Sequence, residues 1–190
     1  MRRPLVVGLT GGIGSGKSEA LAAFRRHGAS TLSSDEVVRE LYRRADVRRA
    51  VAEHFGAAVL DAAGAVDRGL VAERVFSDAE QRRWLEELLL PLIGDRFAAW
   101  RDAEVAAGAP LLVHEAPTLF EAGIERRYDT VVTVTAPREV RELRRPGAAA
   151  RMAHQLPESD KVSRSQHVYQ NTGSLDQLDR WVAELVRELT

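Results

Sequence analysis

The sequence has no cysteine, and it has no long apolar run. The first absence excludes disulfides, thiolate catalysis and cysteine-ligated metal sites. The apolar stretch that follows residues 1–4 is far too short for a signal peptide or a membrane span, so we expect a cytoplasmic protein. Net charge is nearly absent as well, at -1, which gives no overall reason to expect nucleic acid or an anionic membrane as a partner.

Lysine is scarce in a chain that is otherwise rich in positive charge. Of 27 basic residues, only Lys17 and Lys161 are lysines, and the others are arginines. A compact ammonium on a flexible stem suits phosphate binding, and Lys17 lies in a glycine-rich segment where such binding is expected. The surroundings of Lys161 suggest no comparable reason, and we interpret its identity as chance. The five histidines lack the spacing of metal ligands, and we interpret them as structural.

The distribution of apolar residues predicts alternating strands and helices. A chain of 190 residues suits one compact α/β domain with a substantial core. Short apolar runs predict strands at 5–10, 29–33, 110–115, 128–135 and, more briefly, 167–169. Helical patterns lie between them, and an amphipathic helix closes the chain at 175–189. This alternation favours a parallel sheet of about five strands with helices on both faces and right-handed crossovers.

A long helical insert occupies residues 46–107, between the second and third predicted strands. Its pattern predicts interruptions at Gly56, Gly64 and Pro91. Within the insert, Asp61-Ala62-Ala63-Gly64 matches the D-x-x-G sequence of GTPases. We interpret that match as a surface turn because it lies away from any predicted strand.

The segment between the first predicted strand and the first predicted helix carries the most specific motif. It reads Gly11-Gly12-Ile13-Gly14-Ser15-Gly16-Lys17-Ser18 and satisfies G-x-x-x-x-G-K-[ST] in full. Glycines allow the backbone to turn its N–H groups inward, where they surround an anion at a helix N-terminus. In such loops the lysine contacts the β- and γ-phosphates, and the final hydroxyl is placed to ligate Mg²⁺. The motif predicts that all eight residues bind a nucleoside triphosphate, with Ser18 also at the metal.

GTPases, motors, transporter ATPases and kinases all share this loop, so other features must choose between them. The guanine-reading N-K-x-D sequence of a GTPase is absent. The chain is also short for a motor or a transporter ATPase domain. The residues therefore favour the interpretation that this chain is a small-molecule kinase.

Beyond the loop, the chain resembles the bacterial dephospho-coenzyme A kinases over nearly its whole length. The similar segments include VGLTGGIGSGKS at 7–18, SDEVVREL at 34–41, HFG at 54–56, VFSD at 75–78, LPLI at 90–93, EAPTLFE at 115–121 and NTGSL at 171–175. Each later segment is weakly specific alone, but their ordered series is specific to the family.

This resemblance implies a P-loop kinase fold and ATP-dependent phosphorylation of the ribose 3′-hydroxyl of dephospho-coenzyme A. ATP and dephospho-coenzyme A would then be the partners, with Mg²⁺ as cofactor and with neither nucleic acid nor membrane involved. The resemblance also implies a single kinase domain over residues 1–190. Within it we expect an acceptor-binding helical insert at about 46–107 and a short mobile lid at about 145–165.

Two acids and three lid or post-lid residues are the remaining site candidates. Asp35 follows the second strand, at the edge where open parallel sheets bind ligands. It can orient or deprotonate the acceptor hydroxyl, or serve only as a helix cap. Glu115 ends the third strand and either holds Mg²⁺ through water or forms a salt bridge there. The resemblance favours Arg151 and Arg164 over Arg144 and Arg145 as the cation for the transferring phosphoryl group, and it implies Arg164 and Asn171 as nucleotide-binding residues.

Three departures from the family pattern leave alternatives open. Ser33 stands where the family usually has the first acid of Asp-x-Asp, Leu90 replaces the histidine of its His-Pro pair, and the lid segment at 144–155 is shortened. All three fall in the catalytic and acceptor regions, whereas the P-loop is intact. A kinase for another small hydroxyl acceptor, such as a nucleoside or sugar acid, is one alternative. The other is a catalytically weak nucleotide-binding paralogue that acts through a partner.

Overall fold

In the computed structural model, which describes residues 3–146 and 155–190, five strands form one parallel sheet. The strands are β1 (Leu5–Thr10), β2 (Ser30–Ser33), β3 (Leu111–Glu115), β4 (Thr130–Thr135) and β5 (His167–Gln170). They lie in the order β2-β3-β1-β4-β5, and each neighbouring pair is parallel. The predicted fold class, α/β with a parallel sheet of five strands, is confirmed.

Helices connect the strands, as parallel pairing requires. In the described residues they are α1 (Lys17–Arg26), α2 (Ser34–Leu41), α3 (Ala45–Phe55), α4 (Arg68–Ser77), α5 (Ala79–Ala106), α6 (Arg138–Arg144), α7 (Glu158–Ser163) and α8 (Leu175–Leu189). Two short 3₁₀ turns occur at Ala57–Val59 and Glu125–Arg127.

One face of the sheet packs against α1 and α8. Side chains of β1 alternate along the strand, and Val7 and Leu9 enter this core together with Phe24 of α1 and Leu178 and Val182 of α8. Each of these side chains is essentially inaccessible to solvent. Burial of one such side chain contributes about 1.5–3 kcal/mol, so this layer holds the turn between β1 and α1 in place.

On the opposite face, the absence of a side chain at Gly8 allows a close approach by Tyr128. A Cβ atom at Gly8 would lie 2.9 Å from the Tyr128 ring and 2.5 Å from Leu119 Cδ1. The Tyr128 hydroxyl lies 2.8 Å from Nδ1 of buried His114, within hydrogen-bonding distance. Any larger residue at Gly8 would displace this pair.

The chain forms two compact units, one of which is Ser34–Ala99; the other comprises the described residues on either side. Within Ser34–Ala99, the predicted surface turn around Asp61 is confirmed. The Asp61 carboxylate accepts hydrogen bonds from the backbone N–H groups of Ala63 and Ala65, both at 2.9 Å. Gly64 adopts a positive φ of 75° in the same turn.

The predicted helix break at Pro91 is wrong, because the 28-residue helix α5 continues through this residue. Proline lacks an N–H and removes one helical hydrogen bond, the one to the Glu87 carbonyl. Both Glu87 and Pro91 are exposed, so water can bond to that carbonyl instead. Despite this length, no helix within the described ranges is long and apolar enough to cross a membrane.

Candidate active site

The turn from β1 to α1 has the geometry of a phosphate-binding loop. Gly11, Gly14 and Gly16 all have positive φ angles, of 144°, 77° and 101°. These values turn the chain sharply between Thr10, the last residue of β1, and Lys17, the first residue of α1. Gly16 is the N-cap of α1 and has no side chain with which to satisfy the first N–H groups of the helix. An anion at this helix end would meet both those groups and the positive end of the helix dipole.

Lys17 lies within the loop and is only 8% exposed. Its Nζ donates a hydrogen bond to the Gly12 carbonyl at 3.1 Å. The lysine ammonium is therefore held inside the curve of the backbone, where it can contact a phosphate bound by the loop.

Asn171, which follows the last residue of β5 and is buried, supports the loop. The Asn171 side-chain amide donates to the Ser15 carbonyl at 2.8 Å, and its backbone N–H donates to Thr135 at 2.7 Å. The guanidinium of Arg144 lies 3.4 Å from the carbonyl oxygens of both Ser15 and Asn171. A Cβ at Gly16 would lie 2.2 Å from the Asn171 amide nitrogen, so this support requires glycine there. Asn171 thus contacts the loop backbone, which leaves its predicted contact with nucleotide as an expectation.

Glu115 and Ser33 lie side by side at the carboxyl ends of β3 and β2. The sheet register pairs these two residues directly, and the Ser33 hydroxyl donates to the Glu115 carboxylate at 2.8 Å. Glu115 is 3% exposed and Ser33 is 5% exposed. A second acid at position 33 would therefore face a buried carboxylate at close range.

Lys161 is buried in a polar network, and our interpretation of it as a chance lysine is wrong. It is 1% exposed, and its Nζ lies 2.8 Å from the Glu121 carboxylate and 3.1 Å from the Pro117 carbonyl oxygen. The same carbonyl oxygen accepts a hydrogen bond from the Thr10 hydroxyl at 3.2 Å. A signal in the sequence was the retention of lysine where every other basic residue except Lys17 is an arginine.

Of three further predicted site residues, two are exposed in the first turns of helices and the third lies outside the described residues. Ser18 lies in the first turn of α1 and is exposed. Asp35 lies in the first turn of α2, where its acid also suits the helix dipole, and it too is exposed. Arg151 lies outside the described residues.

Arg164 is engaged with groups from the loop that follows β3. Its guanidinium forms an ion pair with Glu125 and lies 4.4 Å from the centre of the Phe120 ring. These contacts hold the arginine at residues 120–125, and its predicted contact with nucleotide stays a prediction.

The donor types at Ser18 and Glu115 fit the metal that the family resemblance implies. Mg²⁺ prefers hard oxygen ligands and is commonly held by one or two protein groups together with substrate phosphates. A hydroxyl and a carboxylate supply such oxygens. Among the residues that the structure describes, no group of three or more His, Cys, Asp or Glu side chains could form a metal site of its own. The oxygen donors of Ser18 and Glu115 are nevertheless of the type that a nucleotide-bound Mg²⁺ takes.

Comparison with known proteins agrees with the loop geometry. The sequence model of the dephospho-CoA kinase family matches residues 5–177. Curated relatives named dephospho-CoA kinase include one from Syntrophotalea carbinolica, 39% identical, covering 97% of this chain and 92% of that protein. Another, from Salinibacter ruber, is 36% identical and covers 97% of each.

Among solved structures, the protein TT1252 from Thermus thermophilus is 35% identical, with full coverage of both chains and a TM-score of 0.81. The dephospho-CoA kinase from Campylobacter jejuni shares the fold at 19% identity, with a TM-score of 0.67 over 98% of each chain. The family match spans most of the chain, and the curated relatives are well above 30% identical. This chain belongs to the dephospho-CoA kinase family.

Proposed function

We propose that this protein transfers the γ-phosphoryl group of ATP to the ribose 3′-hydroxyl of dephospho-coenzyme A, giving coenzyme A and ADP. The observation that carries the proposal is the complete phosphate loop between β1 and α1 in a chain of this family. Phosphoryl transfer depends mainly on positioning and on neutralising charge, with little covalent chemistry for the protein to perform. The expected cytoplasmic location remains a prediction.

On the donor side, residues Gly11 to Ser18 bind the triphosphate. Lys17 turns its ammonium from the Gly12 carbonyl, where it lies at 3.1 Å, toward the β- and γ-phosphates. Asn171 supports this loop through Ser15 and contacts the nucleotide from the same position. A bound Mg²⁺ would neutralise charge on the phosphates. The Ser18 hydroxyl and the Glu115 carboxylate would hold it, the carboxylate through water.

On the acceptor side, Asp35 orients the 3′-hydroxyl and accepts its proton. A loose transition state asks little of a general base, so a single carboxylate suffices without an acid at position 33. The acceptor is bound by the insert at about 46–107. A lid at about 145–165, anchored near its C-terminal end by the contacts of Lys161, brings Arg151 to the transferring group and excludes water. Arg164 contributes to nucleotide binding.

A coupled ADP-release assay with a panel of acceptors tests the proposal. Dephospho-coenzyme A, a nucleoside and a sugar acid would be compared at matched concentrations with ATP, with Lys17→Ala as the negative control. We expect turnover with dephospho-coenzyme A to exceed that with the other acceptors by a large factor. Preference for another acceptor would identify a different kinase. Absence of turnover with every acceptor, together with retained ATP binding, would identify a catalytically weak paralogue.

A further inference from the structure

The network around Lys161 joins three parts of the fold at the carboxyl end of the sheet. Lys161 belongs to α7, Pro117 and Glu121 belong to the segment after β3, and Thr10 is the residue before the phosphate loop. The Pro117 carbonyl oxygen is the shared point, because it accepts hydrogen bonds from both the Lys161 ammonium and the Thr10 hydroxyl. Lys161 and Thr10 are 1% and 0% exposed.

A buried ammonium in this position requires partners, and the network supplies them. The Glu121 carboxylate balances its charge at 2.8 Å and also accepts the backbone N–H of Leu156 at 3.0 Å. Lysine offers a compact charge with separate donors, which can reach a carboxylate and a carbonyl at once, whereas guanidinium is larger and planar. This difference accounts for a lysine in a chain whose one other lysine lies in the phosphate-loop motif.

The Pro117 carbonyl, which Lys161 and Thr10 hold, lies two residues after Glu115 in the chain. The backbone N–H of Ala116 donates to the Leu9 carbonyl at 2.9 Å, which fixes one side of the turn that leaves β3. The bonds from Lys161 and Thr10 to Pro117 fix the other side. Together with the Ser33 hydroxyl on the carboxylate itself, these contacts fix the backbone that follows Glu115 and hold one oxygen of its carboxylate.

We propose that Lys161 is a positioning residue for the reaction: through the Pro117 carbonyl it holds the β3 exit against Thr10 and so keeps the Glu115 carboxylate aligned toward the metal–nucleotide complex. This inference rests on the proposed role of Glu115 in holding the metal. Residues that orient a metal-binding group typically change metal affinity or activity by about 10- to 100-fold when they are replaced.

The test separates the carbonyl contact from the ion pair. Lys161→Met removes both and leaves Glu121 unbalanced, so the double variant Lys161→Met with Glu121→Gln restores charge balance without restoring the bond to Pro117. Thr10→Val removes the other donor to that carbonyl and keeps the ion pair. Arg26→Met, which breaks an exposed pair with Asp179, is the control. The readouts are thermal unfolding, Mn²⁺ affinity of the ATP-bound protein by electron paramagnetic resonance, and the separate values of kcat and KM.

We expect the double variant to unfold nearer to the wild-type temperature than Lys161→Met, while its Mn²⁺ affinity and kcat stay about tenfold or more below wild type. The KM for dephospho-coenzyme A should hardly change, and Thr10→Val should weaken Mn²⁺ binding in the same direction. Wild-type Mn²⁺ affinity in the double variant would overturn the proposal and leave Lys161 a purely structural residue. If no Lys161 variant folds, unchanged Mn²⁺ affinity in Thr10→Val would overturn it equally. The Mn²⁺ readout requires no turnover, so a failure of the proposed reaction in the wild-type protein is distinguishable from a failure of this inference.

Discussion

At the scale of single residues, both lysines of the chain are buried and donate hydrogen bonds. Lys17 is 8% exposed and Lys161 is 1% exposed, and each donates to a backbone carbonyl, of Gly12 and of Pro117 respectively. An isolated buried ammonium is costly, so each is held by polar partners. Lys161 forms an ion pair with the Glu121 carboxylate at 2.8 Å, and Lys17 is proposed to contact a phosphate that comes with the substrate.

Lys17→Ala is expected to abolish phosphoryl transfer while the protein remains folded. Loss of a preorganised cation at the transferring group should raise the barrier by about 3 kcal/mol or more, which lowers turnover at least about 100-fold. The ADP-release assay measures this change, and thermal unfolding checks the fold. Arg26→Ala, at the exposed end of the same helix, is the matched control and should keep full activity. Near-normal turnover in Lys17→Ala would contradict the proposal that this protein is a P-loop kinase.

Asp35→Asn and Ser33→Asp together test which position carries the working acid. If Asp35 orients and deprotonates the acceptor, Asp35→Asn should lower kcat about 10²- to 10⁴-fold and leave ATP affinity nearly unchanged. Ser33→Asp should be mildly adverse, because its carboxylate would face Glu115, which the present hydroxyl contacts at 2.8 Å, and two close carboxylates raise one another's pKa.

Steady-state kinetics on both variants distinguish the two assignments, with Ser33→Ala as the control for the lost hydrogen bond. A marked increase in turnover for Ser33→Asp, together with unchanged turnover for Asp35→Asn, would contradict the assignment of Asp35 as the working acid. In that case the missing acid would be the catalytic one, and the natural protein would be a weakened enzyme.

At the scale of elements, β3 places two titratable residues next to each other with different surroundings. Glu115 contacts Ser33 at the strand end, whereas the preceding residue, His114, meets Tyr128. Burial, with a smaller contribution from the Arg127 guanidinium, lowers the pKa of His114 to about 4. Burial also raises the pKa of the Tyr128 hydroxyl well above its usual range. Both groups of this pair are therefore uncharged at neutral pH.

This pKa shift predicts that the nucleotide-free protein loses stability in mild acid. The folded-state pKa of His114, about 4, lies below the unfolded value of about 6.5. As the pH falls from about 7 toward 4, the unfolded chain binds a proton that the folded chain excludes, so the free energy of unfolding decreases. Between pH 7 and pH 4.5 the contribution of His114 is about 2 kcal/mol. Urea unfolding at several pH values measures it.

His114→Gln is the control for the pH experiment, because it keeps a polar group near Tyr128 and cannot titrate. Its free energy of unfolding should depend less steeply on pH over the same interval. Parallel pH profiles for the two proteins would contradict the prediction and assign the acid sensitivity to carboxylates elsewhere.

At the scale of the whole molecule, we expect the two compact units to bind different substrates. The phosphate loop belongs to the sheet-containing unit, and Ser34–Ala99 is almost entirely helical.

If the helical insert binds the acceptor, dephospho-coenzyme A should slow hydrogen exchange within Ser34–Ala99, because a ligand suppresses local opening of the unit that binds it. ATP alone should slow exchange chiefly at residues 11–18. Exchange within Ser34–Ala99 that is indifferent to the acceptor would contradict the proposed role of the insert. Lys17→Ala should reduce the effect of ATP and keep that of the acceptor.

The amino-acid sequence by itself determined the phosphate loop, the parallel sheet and the position of nearly every helix and strand. These features are local, because eight consecutive residues define the loop and short apolar periodicities define the elements. Only the tertiary structure decided that Ser33 contacts Glu115, 82 residues away, and that Lys161 holds the carbonyl of Pro117, 44 residues away. Such contacts depend on which strands become neighbours in the sheet, and that order is not encoded in any one segment. The continuity of α5 through Pro91 was also decided there, since it depends on whether the carbonyl that loses its helical partner finds another one.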